Sequence, residues 1–305
     1  MTVHDLFLGL SPRPWDGIRL KRLIYNLFVV PFVNYTPYGK FLLGGFLKEA
    51  DQLIVHSEQL KLFLQSLGVN PEKIAVFYLG ISEIEASDPE ILARLHCEKQ
   101  RPMTVFGFIT PEKGYEIVLK ALQTLPSEVR LVIAGDIRTE SQRPYLEKLK
   151  KSVRYPGIEN RVIFTGSLTP AKASPLLESS EVNLLPYQPA VMSGVSYALS
   201  FAIAAKRPIV TSDTPYFLEL EQKFGILSLS TFSAGKPQSL EVVIQDILQN
   251  KEKTLSQSSA VETFMNDWNW DKVAEKTAEI YLKVSQKKES KKVQTDFKKL
   301  HERAS

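Results

Sequence analysis

The chain has 305 residues, of which 44% are hydrophobic and 24% charged, a balance typical of a globular protein with one large or two medium domains. The single cysteine, Cys97, excludes an intramolecular disulfide, and the net charge of +4 is too small to favour nucleic-acid binding. No apolar stretch is long enough to cross a membrane and no signal peptide is visible after Met1, so a cytoplasmic location is expected.

The first 81 residues predict an incomplete α/β domain. Short strands are predicted at 2–6, 50–57 and 73–77, the second leading into a capped helix and the third ending at Gly80-Ile81. Residues 17–46 are apolar and basic, which suits either a helix docked on a sheet or one lying at an anionic membrane surface. Pro31 and Pro37 interrupt any long amphipathic helix and favour packing in the core.

A second domain is predicted after a charged linker at residues 82–102, which lacks a strand pattern. Strands are predicted at 103–107, 129–135, 162–166, 182–186, 208–212 and 225–229, and helices at 114–125, 143–155, 170–180 and 193–206. This alternation predicts a parallel sheet with helices on both faces. Beyond it we expect a C-terminal helix at 263–286 and a charged tail at 287–305 with no fold of its own.

The carboxyl edge of the predicted sheet is the expected ligand site, because ligands on such sheets bind beyond the strand ends. Residues that fall there are Gly107, Gly135, Gly166, Tyr187 and Asp213. Near them, Ser193 and Gly194 open a predicted helix whose apolar stripe is Val195, Ala198, Leu199, Ala202 and Ile203. A helix start with unpaired amides suits a phosphate, although an ordinary serine cap followed by a loop glycine fits the same residues.

Several classes of site are disfavoured by what the sequence lacks. There is no Asp-x-Asp pair and no His/Cys cluster with ligand spacing, so no metal site is expected. There is also no Ser/His/Asp arrangement and no Gly-x-Gly-x-x-Gly fingerprint, which argues against a hydrolase and against a dehydrogenase.

A family resemblance rests on motifs that follow one order and one spacing. They are Phe106-Gly107-Phe108, Pro111-Glu112-Lys113-Gly114, Leu131 to Gly135, Arg161 to Gly166, Pro186-Tyr187, Ser193-Gly194 and Pro208 to Asp213. Together they resemble the donor-binding domain of a group 1, family 4 glycosyltransferase of the GT-B fold. Residues 50–57, 80–81 and 270–281 also fit, so the resemblance extends to about residue 284.

The resemblance implies an α/β protein of GT-B type. It implies a partial N-terminal, acceptor-side Rossmann-like domain at 1–81 and a complete C-terminal donor-binding domain with a Rossmann-like parallel sheet at 103–262. The helix at 263–286 would return toward the N-terminal domain.

The activity that the resemblance implies is transfer of a hexosyl group from a nucleotide diphosphate sugar to a hydroxyl acceptor, with retention at the anomeric carbon and without a metal. The nucleotide sugar is a co-substrate and no separate cofactor is expected. The acceptor would be a glycan, a lipid-linked group or a small molecule. Peripheral contact of the protein with the cytoplasmic face of a membrane is left open, as is assembly into a homo- or hetero-oligomer. The alternative is a catalytically silent relative that acts as a sugar-nucleotide sensor or partner subunit.

The resemblance also assigns residues to parts of the reaction. Lys113 would pair with the donor diphosphate and offset charge on the leaving group, and His4 would contact the sugar or the acceptor. Other donor diphosphate contacts would be Gly107, Gly114, Ser193, Gly194 and Val195. Contacts with the donor base or sugar would be Gly135, Asp136, Tyr187, Asp213 and Glu219.

Three departures from the family pattern stand out. Phe108 occupies a position where the family commonly has an arginine. A pair of glutamates seven residues apart would fall at Ser193 and Phe201, which leaves Glu219 as the nearest carboxylate. The family's first domain normally opens with a strand and a glycine-rich loop upstream of His4, so a misplaced start, an inactive relative and a two-chain enzyme are all open.

Overall fold

The computed structural model describes residues 2–3, 44–45, 47–81, 100–154, 157–188, 196–226 and 230–304, and its helices and strands are numbered within these ranges. The described residues fall into two compact units. The first contains those up to Gly80 together with those from Trp268 onward, and the second contains 81–267.

The first unit has a small parallel sheet in the order β1-β2-β3, formed by Thr2–Val3, Leu53–Val55 and Ile74–Val76. Helix α1, Glu58–Ser66, follows β2 and is capped by Ser57, whose side chain accepts a hydrogen bond from the Leu60 amide. Leu60 and Leu64 of this helix are buried with Leu53 and Val55 of β2, so an apolar helix stripe covers the sheet.

The last helix, α9, also belongs to the first unit and runs over Trp270–Ala304. A Cβ on Gly80 would lie 2.4 Å from the indole of Trp270, and Lys288 pairs with Asp51 at 2.8 Å. The expectation that residues 287–305 have no fold is therefore wrong as far as Ala304. Lysine, glutamate and glutamine propagate a helix well even where it buries little surface.

The second unit has its strands in the order β6-β5-β4-β7-β8-β9, and every neighbouring pair is parallel. The strands β4 to β9 are Arg101–Phe106, Val129–Ala134, Val162–Gly166, Val182–Leu185, Ile209–Ser212 and Thr231–Phe232. The helices α2 to α8 are Tyr115–Leu122, Arg143–Ser152, Pro170–Glu178, Tyr197–Ala204, Pro215–Phe224, Pro237–Gln249 and Lys251–Asp267.

Strand β5 shows how the sheet is covered on both faces. Leu131 and Ile133 belong to the large apolar cluster that includes buried residues of α2 and α7. The alternate residues Val132 and Ala134 pack in a separate cluster with Leu176 of α4. Because successive strand residues point to opposite faces, this alternation confirms the predicted sheet with helices on both sides.

One expectation about the later strands needs correction. A strand was expected at 225–229, but Gly225 ends α6 in the left-handed conformation at φ +67°, and residues 227–229 lie outside the described residues. The last described strand of the sheet is Thr231–Phe232, and α6 begins at Pro215. Proline at the first turn and glycine after the last turn are the ordinary bounds of a helix.

Two further boundaries also differ from the expectation. The predicted helix at 263–286 is divided between α8 and α9, with a break at Trp268 and Asn269. Strand β4 begins at Arg101, inside the predicted linker of 82–102. Residues 82–99 of that linker lie outside the described residues.

The order of the strands places a switch in winding at the centre of the sheet. The chain enters at β4, adds β5 and β6 on one side, and then crosses over to add β7, β8 and β9 on the other. The switch therefore lies between the carboxyl ends of β4 and β7, where ligands bind on open α/β sheets. None of the helices in the described part of the chain combines the length and apolarity of a bilayer-crossing segment.

Candidate functional site

Gly107 and Gly135 bring the ends of β4 and β5 together without side chains between them. Gly135 has φ +145°, and a Cβ there would lie 2.0 Å from the carbonyl oxygen of Gly107. The contact continues past the strands, because the Ile109 amide donates to the Asp136 carbonyl at 2.9 Å. Only glycine permits this approach at Gly135, so the predicted edge at these two residues is a bare backbone surface.

The turn that carries Lys113 is packed against the end of β7. Pro111–Lys113 form a single 3₁₀ turn, and Gly114 follows in the left-handed conformation at φ +73°. A Cβ on Gly114 would lie 1.8 Å from the Pro186 carbonyl oxygen, and the Gln188 amide donates to the Glu112 carbonyl at 2.9 Å. The turn after β4 is thereby fixed across the switch point to the residues that follow β7.

Lys113 is held at the switch point by Tyr187. Its Nζ donates to the Tyr187 hydroxyl and lies 3.9 Å from the centroid of the same ring. The Tyr187 hydroxyl lies 2.5 Å from Ser196 Oγ, which also accepts from the Leu199 amide at 3.3 Å as the N-cap of α5. Tyr187 thus links Lys113 to the start of α5, with either hydroxyl able to donate in its bond with Ser196.

The ammonium of Lys113 has its other donors available for an anion. Within the part of the chain that the structure describes, no carboxylate lies within ion-pair distance of it. Its side chain is only partly exposed, whereas Tyr187 beneath it is buried. A positioned cation with no carboxylate partner is suited to a phosphate.

Two further buried tyrosines support this region. Tyr115 is fully buried and its hydroxyl donates to the Phe108 carbonyl at 3.3 Å. Burial raises the pKa of its phenol above the ordinary value of 10.0, and Tyr187 and Glu112 raise it further. Burial likewise raises the pKa of Tyr216, with contributions from Glu219 and Tyr187. Both phenols therefore stay protonated near neutral pH.

The acidic residues predicted to contact the base or sugar lie around this edge in different settings. Asp136 follows β5, and its carboxylate accepts from the Ile137 amide at 2.7 Å. Asp213 follows β8 and accepts from the Ala234 amide at 2.7 Å, which holds the loop beyond β9. Glu219 is half-buried on α6 rather than on a loop. Asp213 thus makes a contact that stabilises the fold, and its contact with the nucleotide sugar stays a prediction.

Four predicted site residues lie outside the described residues: His4, Ser193, Gly194 and Val195. The helix expected to begin at Ser193 begins at Tyr197, with Ser196 as its cap. The correction follows from capping chemistry, because Ser196 directly precedes the buried run of Ala198 and Leu199 and its oxygen reaches an amide of the first turn.

The sequence reasoning overlooked Ser196 and Arg138 in this region. Ser196 could have been found from its position just before an apolar helix, the usual signal of an N-cap. Arg138 follows the end of β5, and its guanidinium lies 5.6 Å from the ring centroid of Phe108. The sequence signal for Arg138 was a basic residue shortly after a predicted strand, where ligands bind.

Among the described residues, no group of three or more His, Cys, Asp or Glu is placed to hold a metal ion.

The order and parallel pairing of β4 to β9 define a Rossmann-like domain, with Lys113 at its switch point. Solved structures with this fold include HepE from Anabaena in complex with UDP, at a TM-score of 0.71 and 18% identity, covering 86% of this chain and 76% of that one. Sucrose-phosphate synthase from Thermosynechococcus elongatus matches at a TM-score of 0.68 and 16% identity, covering 93% and 67%. The chain therefore has the GT-B fold.

The family is identified from the sequence match. Residues 101–250 match the family model described as glycosyl transferases group 1, which places this part of the chain in that family. It is 28% identical over 238 residues to the alpha-monoglucosyldiacylglycerol synthase of Streptococcus pneumoniae, covering 70% of this chain and 52% of the relative. An uncharacterised glycosyltransferase of Methanocaldococcus jannaschii is 22% identical over 257 residues, covering 80% and 61%. The chain thus spans roughly half to three-fifths of these curated relatives.

Proposed function

We propose that the protein transfers a hexosyl group from a nucleotide diphosphate sugar to a hydroxyl acceptor. The observation that carries the proposal is the Lys113 ammonium, fixed by Tyr187 at the switch point and without a carboxylate partner among the described residues. Membership of the group 1 glycosyltransferases supports it. A nucleotide diphosphate is the leaving group in such a reaction, and negative charge develops on it as the bond to the sugar breaks.

Lys113 would act on the diphosphate. Its ammonium would bind the phosphoryl oxygens of the donor and offset the additional charge as the glycosidic bond to the diphosphate lengthens. The bare backbone at Gly107 and Gly135 would allow the donor to lie close to the sheet edge. The amides of Ser193, Gly194 and Val195 remain our prediction for the second phosphoryl group, and His4 for the acceptor side.

Retention at the anomeric carbon and independence of metal ions are part of the same proposal. Metal independence is supported by Lys113, which supplies a positive charge where a metal ion would otherwise act. We propose no cofactor beyond the nucleotide sugar. The name of the pneumococcal relative makes a glucosyl donor and diacylglycerol the first donor and acceptor to test, and the HepE complex with UDP-glucose makes UDP-glucose the form of that donor. We propose action at the cytoplasmic membrane surface.

The experiment measures release of nucleoside diphosphate from UDP- and GDP-hexoses by the full chain, with and without acceptors. We expect Lys113→Ala to lower kcat by roughly tenfold to hundredfold, the usual loss when a charged hydrogen bond is removed. The control is Lys151→Ala, an exposed lysine on α3 that removes the same charge away from the edge.

Equal turnover by the wild type and Lys113→Ala would remove Lys113 from the mechanism. Binding of a nucleotide sugar without any release of nucleoside diphosphate would instead support the catalytically silent alternative. Addition of a chelator tests the metal assignment, because full activity is expected in its presence.

A further inference from the structure

A second cation stands at the same edge of the sheet as Lys113. Arg138 is exposed, and its guanidinium lies over the ring of Phe108 at 5.6 Å from the centroid. Phe108 directly follows Gly107 and is itself 54% exposed, an unusual setting for a large apolar side chain. An arginine stacked on an aromatic face keeps its N–H groups directed outward, where they can donate to two oxygens of an anion.

The charge of Arg138 is not offset by its acidic neighbours. Glu140, two residues further on, is occupied by Arg143 through two hydrogen bonds of 2.7 Å. One oxygen of the Asp136 carboxylate is occupied by the Ile137 amide, and no ion pair joins this residue to Arg138. Within the described part of the chain, no carboxylate lies within ion-pair distance of Arg138.

The backbone around Arg138 is also fixed. Its amide donates to the side-chain oxygen of Gln142 at 2.8 Å, and the Thr139 amide shares the same acceptor. A charged side chain on an ordered turn, without a carboxylate partner, indicates a cation kept for a ligand rather than for the fold.

The order of the strands places Arg138 and Lys113 on opposite sides of the end of β4. Lys113 follows β4 and reaches across to Tyr187 beyond β7. Arg138 follows β5, the neighbour of β4 on the other side, and Phe106 lies opposite Ala134 in the register of the two strands. Adjacent strands are about 4.8 Å apart, so β5 and β7 lie about 10 Å apart across β4. Cations beyond these two strands would flank a diphosphate that lies across the end of β4.

We infer that Arg138, supported by the Phe108 ring, is the second cation that binds the diphosphate of the donor. The inference rests on the proposed function and extends it. Two linked phosphoryl groups carry a negative charge each, and Lys113 provides only one positive charge. The guanidinium supplies the other, with a planar fork that can bond two phosphoryl oxygens at once.

The test is calorimetric titration of UDP and of GDP into the full chain, as wild type and as Arg138→Gln. The matched control is Arg143→Gln, which removes an exposed arginine five residues away whose guanidinium is held by Glu140. We expect Arg138→Gln to weaken binding of the nucleoside diphosphate by roughly tenfold to hundredfold. Arg143→Gln should change it by less than about twofold.

Two further measurements separate phosphate binding from base binding. Uridine and guanosine lack phosphates, so their affinity should be the same in Arg138→Gln and in the wild type. Arg138→Lys should recover part of the affinity for the diphosphate, because it restores the charge but not the planar fork. An equal loss of nucleoside and nucleoside diphosphate affinity would mean that Arg138 and Phe108 bind the base, which overturns the inference.

The remaining outcomes distinguish the inference from the function on which it rests. A wild type that binds neither UDP nor GDP would remove the proposed function and the inference with it. A wild type that binds one of them, with Arg138→Gln equal to Arg143→Gln, would overturn the inference alone. Far-UV circular dichroism of both variants confirms that each exposed substitution leaves the fold intact.

Discussion

The hydroxyl of Tyr187 can be removed without removing the ring that lies beneath Lys113. In Tyr187→Phe the cation remains over an aromatic face at 3.9 Å, and the ring keeps its packing against Phe217 at 5.3 Å. What is lost is the acceptor for Lys113 and the hydroxyl partner of Ser196. The substitution therefore tests whether the position of the ammonium, rather than its presence, contributes to the reaction.

The magnitude follows from these two hydrogen bonds. Ser196 keeps its bond from the Leu199 amide and Lys113 is partly exposed to water, so neither polar group is left without a partner. We expect the free energy of unfolding to fall by about 1 kcal/mol, the net value of a typical hydrogen bond. A less constrained ammonium should lower kcat by about tenfold, less than the loss expected for Lys113→Ala.

The assay is steady-state release of nucleoside diphosphate, with KM and kcat determined separately for Tyr187→Phe. Because Lys113 would act on charge that develops as the leaving group departs, kcat should fall more than KM rises. Tyr145→Phe is the matched control, since it removes a tyrosine hydroxyl that donates to Glu116 at 2.7 Å. If the two variants had the same kcat, the positioning of Lys113 by Tyr187 would be refuted.

Two further predictions concern stability. Gly114→Ala should lower the free energy of unfolding by roughly 3 kcal/mol in urea titrations, because its Cβ would lie 1.8 Å from the Pro186 oxygen. Gly225→Ala has a similar φ of +67° and open space around its Cβ, so it should show only the backbone strain of about 1–2 kcal/mol, and equal losses would contradict the clash. For pH, burial raises the pKa of Tyr115 and Tyr216 above the ordinary 10.0, so the folded state holds these phenolic protons more tightly than the unfolded state does. Their contribution is therefore complete below about pH 10 and is lost above it, by up to about 1.4 kcal/mol per pH unit for each phenol. Urea unfolding at about pH 9 and about pH 11 should show that loss in the wild type and a smaller one in Tyr115→Phe.

The parallel sheet could be predicted because its signal is local. Buried strands such as Val129–Ala134 and Val182–Leu185 are nearly continuous apolar runs, and each is followed by a glycine or proline that marks its end. The same pattern places Gly107 and Gly135 at one edge once the strands are taken as parallel. The contact of the bare Cα of Gly135 with the carbonyl of Gly107 explains why position 135 is glycine, and the φ of +127° at Gly107 favours glycine there.

The contacts of Tyr187 could not be predicted in the same way. From the sequence it is the residue after a predicted strand, and the family resemblance assigns it to the donor base or sugar. In the structure the turn of residues 111–114 closes over it, and its ring becomes the support for Lys113. Local patterns indicate where a strand ends, but they do not show which neighbouring loop covers that end.

The pairing of Lys113 with Tyr187 depends on the order of the strands. The two residues are 74 positions apart and meet only because β7 is inserted beside β4 instead of extending the sheet beyond β6. If β7 instead followed β6 at the edge of the sheet, β5 and β6 would separate Lys113 from Tyr187, and Lys113 would lack its support. Arg138, which follows β5, would then lie between the residues that follow β4 and those that follow β7. The crossover thus places one cation on each side of the β4 end, with Arg138 on the β5 side. A donor bound there would have to lie across the end of β4, over Gly107.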